Sequence, residues 1–227
     1  MKFCIDDANV EKIRRIHDLF PIDGVSTNPS ILAKTGRSPY EVLREIRSII
    51  GSDGELFVQA VSRDWEGVIR EAHRICEELG DTTLIKIPCT PEGFKAMKEL
   101  RKEGIRFIGT AVYTPMQGWI AAKCGAEYVA PYVNRIDNMG FDGVRVAKEI
   151  HDAIVGSGYD SYSGLLAASF KNSQQVLELT RYGVKAVTVA PDIIEGLVKN
   201  AAIDAAVDQF THDFEGLTGK GKTMADC

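Results

Sequence analysis

The stretch Thr82-Thr-Leu-Ile-Lys-Ile-Pro88 decides how the rest of the chain is read. Apolar and β-branched residues dominate it, and Pro88 stops it. That is the pattern of a short strand buried on both faces, as in a parallel sheet. Lys86 lies near the C-terminal end of this segment. Burial penalises the ammonium form and lowers a lysine's pKa toward neutrality. A neutral amine is a nucleophile that forms a Schiff base with a ketone or aldehyde. The plainer reading is a lysine that snorkels to water or pairs with an acid.

Composition frames the choice. A chain of 227 residues with 44% hydrophobic content can build one full core. A net charge of −5 is wrong for a nucleic-acid binder, since no surface concentrates Lys and Arg. An anionic small substrate would need a local cation. Lys2, Asp6 and Asp7 charge the N-terminus, so no signal peptide is expected. No apolar run reaches the roughly 18 residues of a membrane span. The cysteines Cys4, Cys76, Cys89, Cys124 and Cys227 are odd in number and scattered, which suits reduced thiols and a cytoplasmic location. The histidines are isolated, so no metal site is expected.

Working outward from Lys86, the chain alternates strands and helices. Strands are expected at Phe3–Asp7, Gly24–Asn28, Leu56–Val61, Thr82–Pro88, Arg106–Val112, Tyr128–Val133, Gly164–Phe170 and Ala186–Ala190. Helices are expected between them, for example Ser38–Ile50 with Pro39 in its first turn, and Asp64–Leu79 closed by Gly80. Further helices cover about Asp192–Asn200 and Ala201–Phe214, and a polar tail follows. The repeated βα unit, with no linker dividing it, predicts a closed (β/α)8 TIM barrel over residues 1–216 and a tail over 217–227. An open doubly wound sheet is second, because no glycine-rich dinucleotide loop follows the first strand.

Barrel active sites lie at the C-terminal strand ends. Those ends carry Asp6; Ser26, Thr27 and Asn28; Gln59; Lys86; Thr110; Tyr132 with Arg135; and Ser169. Each has a dull reading alone. Asp6 caps a helix, Asn28 shapes the turn before Pro29, Thr110 is a β-former, Tyr132 is a core ring, and Arg135 pairs with Asp137. A closed barrel makes them converge around one lysine, which favours a reactive Lys86.

The segments Gly24-Val-Ser-Thr-Asn-Pro-Ser30, Ile85-Lys-Ile-Pro88, Gly109-Thr-Ala-Val-Tyr113, Ala126-Glu-Tyr-Val-Ala-Pro-Tyr-Val-Asn-Arg-Ile-Asp137 and Leu166-Ala-Ala-Ser-Phe-Lys171 resemble the small transaldolase family, closest to its fructose-6-phosphate aldolase branch. The resemblance runs from Met1 to about Gly216. It implies a class I aldolase that uses a Schiff-base lysine, no metal, no cofactor and a dihydroxyacetone donor. The reaction implied is cleavage and formation of fructose 6-phosphate; the alternative is a transaldolase that passes the dihydroxyacetone unit to a second sugar phosphate. A barrel acting on another anionic ketose, or on none, is the third possibility. Catalytic roles are implied for Lys86, Asp6, Tyr132, Gln59 and Thr110, and substrate contacts for Asn28, Ser26 and Thr27. Arg135 and Ser169 would hold phosphate, which a guanidinium fork suits. Transaldolases of the family carry Glu and Phe where this chain has Gln59 and Tyr132, as the aldolase branch does. Ser26 and Asp7 depart from the usual Thr and Thr or Ser, and the Gly156–Ser163 connection is longer than expected. The resemblance further implies a ring-like homo-oligomer, a pentamer or decamer, with the C-terminal helix as the contact.

Overall fold

The computed structural model describes residues 1–227, with β1 (Lys2–Asp6), α1 (Val10–Leu19), β2 (Gly24–Ser26), α2 (Pro29–Ala33), α3 (Pro39–Ile50), β3 (Glu55–Gln59), α4 (Trp65–Leu79), β4 (Leu84–Pro88) and α5 (Pro91–Lys102) in its first half. There follow β5 (Phe107–Val112), α6 (Pro115–Cys124), β6 (Tyr128–Pro131), α7 (Val133–Asp137), α8 (Gly143–Gly156), β7 (Leu166–Ala167), α9 (Ser173–Tyr182), β8 (Ala186–Val189), α10 (Pro191–Val198) and α11 (Ala201–Thr218). The chain divides into two compact units, Met1–Ile194 and Glu195–Cys227.

The first unit is the expected (β/α)8 TIM barrel. Its eight strands run in the order β6-β5-β4-β3-β2-β1-β8-β7, and every pairing is parallel. Parallel bridges from Val129 to Leu165 and from Tyr132 to Ala168 close the ring between β6 and β7. Backbone bonds from Val129 N to Gly164 O (2.8 Å) and from Ala168 N to Pro131 O (3.1 Å) complete that seam. A closed ring leaves no edge strand to pair with another chain.

The helices form because the sequence marks their starts. Asn9, Asp64, Thr90, Thr114, Asp142 and Asn172 each cap a helix with a side-chain oxygen that accepts an N–H of the first turn. Gly125 and Gly183 close α6 and α9 in the left-handed region. The apolar faces of these helices bury residues such as Ile13, Ile46, Ala72, Met97 and Ile150 against the outward side chains of the strands.

Inside the ring lies a second, smaller core of Cys4, Phe57, Leu84, Ile108, Tyr128, Ala130, Leu166 and Ala186. The register sorts it into layers. Cys4, Phe57, Ile108 and Leu166 come from the odd strands, and Leu84, Tyr128 and Ala186 from the even ones. Gly24 completes the even layer, where a Cβ would stand 2.2 Å from the Glu55 carbonyl oxygen, so only glycine fits. Below, at the N-terminal ends, Glu55 is buried and satisfied by Lys2 (2.7 Å), Arg106 (3.3 Å) and the Tyr128 hydroxyl (3.2 Å). Apolar and paired layers thus seal the barrel from beneath, and above them Gln59 Oε1 and Thr188 Oγ1 are buried without partners.

Several boundaries shift by a residue or more. The short helices α2 and α7 replace what the sequence pattern marks as turn and strand. The strand expected over Gly164–Phe170 shortens to Leu166–Ala167, because Ser169 turns into the left-handed region (φ 61°) and ends the pairing. The Gly156–Ser163 connection enters β7 from the N-terminal face of the barrel, opposite the C-terminal strand ends. There Tyr159 stands against Trp119 and Tyr162, and Trp119 donates to Ser157.

In the second unit, α11 is an 18-residue helix capped by Asn200. Ile203, Val207, Phe210 and Leu217 lie on it at helical spacing and are exposed, Phe210 by 69%. No helix of the chain is long and apolar enough to cross a membrane, and all five cysteines are free thiols.

Candidate active site

Lys86 is the centre of the strand it was read from, third of the five residues of β4, and only 3% exposed. Strand alternation points it inward with Leu84, one layer above the apolar floor. Following the pairing two strands at a time and advancing two residues keeps to one layer of the barrel. The layer through Lys86 contains Ser26 of β2, Ala130 of β6 and Thr188 of β8. The layer above it, from the odd strands, contains Asp6, Gln59, Thr110 and Ala168. Residues scattered along the sequence therefore meet in two adjacent tiers.

The contacts within these tiers are specific. Lys86 Nζ donates to Ser26 Oγ at 2.8 Å. Ser26 also lies close enough to the Asp6 carboxylate to hold its pKa down, so amine, hydroxyl and acid stand in series. Burial pushes the Lys86 pKa below the ordinary lysine range, and the nearby Asp6 charge opposes that shift. Burial likewise raises Asp6, with Asp7 adding to the rise while Lys86, Arg135 and the Ser26 bond act against it. Both shifts favour the neutral form of each group, the amine without its proton and the acid with it.

The Tyr132 hydroxyl and Thr110 Oγ1 lie 3.0 Å apart. Burial raises the Tyr132 pKa, against the opposing effects of Thr110 and Arg135, so the phenol keeps its proton at neutral pH. The Arg135 guanidinium carbon sits 4.8 Å from the Tyr132 ring centre, and Tyr113 meets that ring edge-on at 5.7 Å. A hydrogen bond to Tyr113 is the main influence raising Arg135. Arg135 is thus held by Tyr113 and Tyr132 rather than by Asp137, whose carboxylate receives Gly143 N and Gln175. Ser169 comes close to the same helix: its carbonyl accepts Asn134 N at 2.8 Å.

Gln59 Oε1 is buried with no hydrogen-bond partner. A buried carbonyl without a partner costs about 1–3 kcal/mol, so such groups mark places where a ligand or water completes the structure. Asn28 Oδ1 caps α2 by accepting Ile31 N, which fixes the side chain and leaves its NH2 group to donate. Thr27 stands apart from the rest. Its hydroxyl donates to the Phe57 carbonyl at 3.0 Å, and strand alternation sets it on the side of Val25, in the outer core. It locks β2 to β3 and does not face the barrel interior.

A cavity of about 650 Å³ opens at the C-terminal ends of β1, β2 and β8, lined among others by Asp6, Asn9, Lys12, Lys34 and Ala190. Of the two tiers only Asp6 lines it; Lys86 does not.

Three features escaped the sequence pattern. Ala111 takes a left-handed conformation (φ 54°) at a bulge between Gly109 and Val112, where β5 shifts register against β6. Bulges beside active sites re-aim side chains, here those of Thr110 and Tyr113 on either side. Tyr113 is the second feature and Thr188 the third. An alternating strand such as Ala186–Val189 does signal an inward Thr188, once the barrel is assumed.

Known structures share the fold. A mandelate oxidase variant carrying an FMN adduct superposes with a TM-score of 0.56 at 13% identity, covering 83% of this chain and 63% of that one, so this chain spans less than two thirds of its length. A flavocytochrome b2 variant gives 0.58 at 11% identity, covering 84% of this chain and 56% of the other. A proposed fructose-1,6-biphosphate aldolase from Coccidioides immitis gives 0.54 at 17% identity, covering 83% and 73%. At such identities the likeness concerns the barrel alone. The sequence is more specific: residues 3–225 match the family model described as transaldolase/fructose-6-phosphate aldolase, and the chain belongs to that family.

Proposed function

We propose that this protein is a class I aldolase that cleaves and forms fructose 6-phosphate from dihydroxyacetone and glyceraldehyde 3-phosphate. The observation that carries the reading is a buried Lys86 with a depressed pKa, bonded to Ser26 and coupled to Asp6. Lys86 Nζ attacks the ketone carbon and gives a carbinolamine, which loses water to an imine. The imine accepts the electron pair of the C3–C4 bond as the C4 hydroxyl gives up its proton. Glyceraldehyde 3-phosphate leaves, and the enamine stays on Lys86. Protonation at C3 and attack of water on the imine then release dihydroxyacetone. Tyr132 carries the protons through a water held with Thr110 and Gln59, as a phenol that stays protonated can. Asp6 and Ser26 handle the amine proton, Asn28 orients the donor hydroxyls, and Arg135 with Ser169 takes the phosphate.

The family includes transaldolases, in which a second aldehyde captures the enamine. Fructose 6-phosphate cleavage with and without erythrose 4-phosphate separates the two. Steady glyceraldehyde 3-phosphate release without acceptor, unchanged by a chelator, is expected. Release only with acceptor would assign the chain to the transferases. Tyr132→Phe is expected to lower kcat about 10- to 100-fold with KM little changed, and an unchanged kcat would remove Tyr132 from the proton path.

The protein works as a homo-oligomer in this proposal, with α11 as the contact, since its apolar stripe is exposed. Sedimentation is expected to give several chains per particle. Phe210→Asp should reduce it to smaller species, and an unaltered particle would place the contact elsewhere.

A further inference from the structure

Thr188 is 1% exposed, and its Oγ1 is buried without a hydrogen-bond partner. Its neighbours on β8, Val187 and Val189, show what an apolar position on that strand looks like. A valine at Thr188 would have the same shape and no orphan hydroxyl. The register sets Thr188 across the barrel from Lys86 in one tier, with Ser26 between them on one side and Ala130 on the other. The Ala130 methyl leaves the space beside the lysine open.

A neutral primary amine has two N–H bonds and one lone pair. One N–H of Lys86 goes to Ser26. The second has no partner within the protein, and the tier beneath it is the apolar layer of Cys4, Phe57, Ile108 and Leu166. We propose that Thr188 is a positioning residue whose hydroxyl receives that second N–H of Lys86, directly or through one water. With both N–H bonds held within the tier, the lone pair points up the barrel toward Asp6, Gln59 and the mouth from which a ketone arrives. Without Thr188 the amine turns about its terminal C–N bond, and the lone pair faces the mouth for only part of the time. This inference rests on the Schiff-base reading of Lys86.

The test is the rate at which borohydride traps dihydroxyacetone on Lys86, followed by mass spectrometry, together with kcat and KM. Thr188→Val is expected to slow trapping and kcat about tenfold, the order of one uncharged hydrogen bond, with KM within about twofold. Thr188→Ser, which restores the hydroxyl, is expected to return most of the loss. Where the valine variant does not fold, Thr188→Ala against Thr188→Ser gives the same contrast. Equal trapping rates and kcat in wild type and Thr188→Val would overturn the assignment, as would a serine variant as slow as alanine. A wild-type protein that traps nothing at Lys86 would overturn the Schiff-base reading itself and this inference with it, a result distinct from normal trapping indifferent to residue 188.

Discussion

Lys86→Ala is expected to lower ketose cleavage by about 10⁴- to 10⁶-fold, the scale on which a covalent nucleophile is lost, and to abolish the borohydride-trapped adduct. The size of the effect follows from its place. No second lysine shares the two tiers around it, and the hydroxyls of Ser26 and Thr188 cannot form an imine. Lys86→Met, of similar length and without charge, keeps the tier filled and should be equally inactive. It has a further consequence at Asp6. The Lys86 charge opposes the rise that burial imposes on that carboxyl, so in the methionine variant the Asp6 pKa climbs further. A carboxyl whose folded pKa lies above its unfolded value of about 3.9 contributes stability that is fully present below that value and lost as pH rises through the folded pKa. Urea midpoints measured from acid to neutral pH should therefore fall over a wider window in Lys86→Met than in the parent. Residual turnover above about 1% of the parent in either variant, or a wild-type adduct on another residue, would end the assignment of Lys86 as nucleophile.

The barrel was legible because every strand is a short apolar run bounded by Gly, Pro or a capping residue, and because such runs alternate with amphipathic helices. The strand through Lys86 shows why the site was legible too. In a layered barrel, a polar residue at the upper end of each strand has nowhere to point except toward the others. What stayed hidden depends on three-dimensional details with no local pattern. Thr27 and Ser26 look alike in sequence, yet one residue of alternation sends Thr27 to the Phe57 carbonyl and Ser26 to Lys86. The helices α2 and α7 are too short for a periodic signal, at five residues each, and follow Asn28 and Tyr132 directly. The left-handed turns at Ala111 and Ser169 occur in residues that rarely adopt them, so nothing in the residue type announces them. The dull alternative for Arg135, pairing with Asp137, does not occur; the guanidinium stands over Tyr132 instead.

Asp6→Asn is expected to lower kcat about 10²- to 10³-fold while moving the acid limb of kcat/KM to lower pH, and the two effects have separate causes. Asp6 raises the Lys86 pKa against the dominant effect of burial. With an amide in its place the amine loses its proton at lower pH, so more of the enzyme carries a neutral nucleophile in acid. If setting that pKa were the whole role of Asp6, the variant would match or exceed the parent below neutrality. The amine, hydroxyl and acid in series argue otherwise, as a proton relay. Ser26 receives the Lys86 N–H beside the carboxylate, and an amide oxygen is a far weaker base. Carbinolamine formation and loss of water both shift protons at this nitrogen, so an arrested relay slows each step. A loss of 10² corresponds to about 2.7 kcal/mol, within what a positioned acid–base group supplies. The relay therefore outweighs the gain in neutral amine, which in acid is limited to the fraction newly deprotonated. A pH profile of kcat and kcat/KM for both proteins decides it. A variant with undiminished kcat and a shifted limb would leave Asp6 as a charge that tunes the lysine and nothing more; a lowered kcat with an unmoved limb would mean that Asp6 and Lys86 are not coupled.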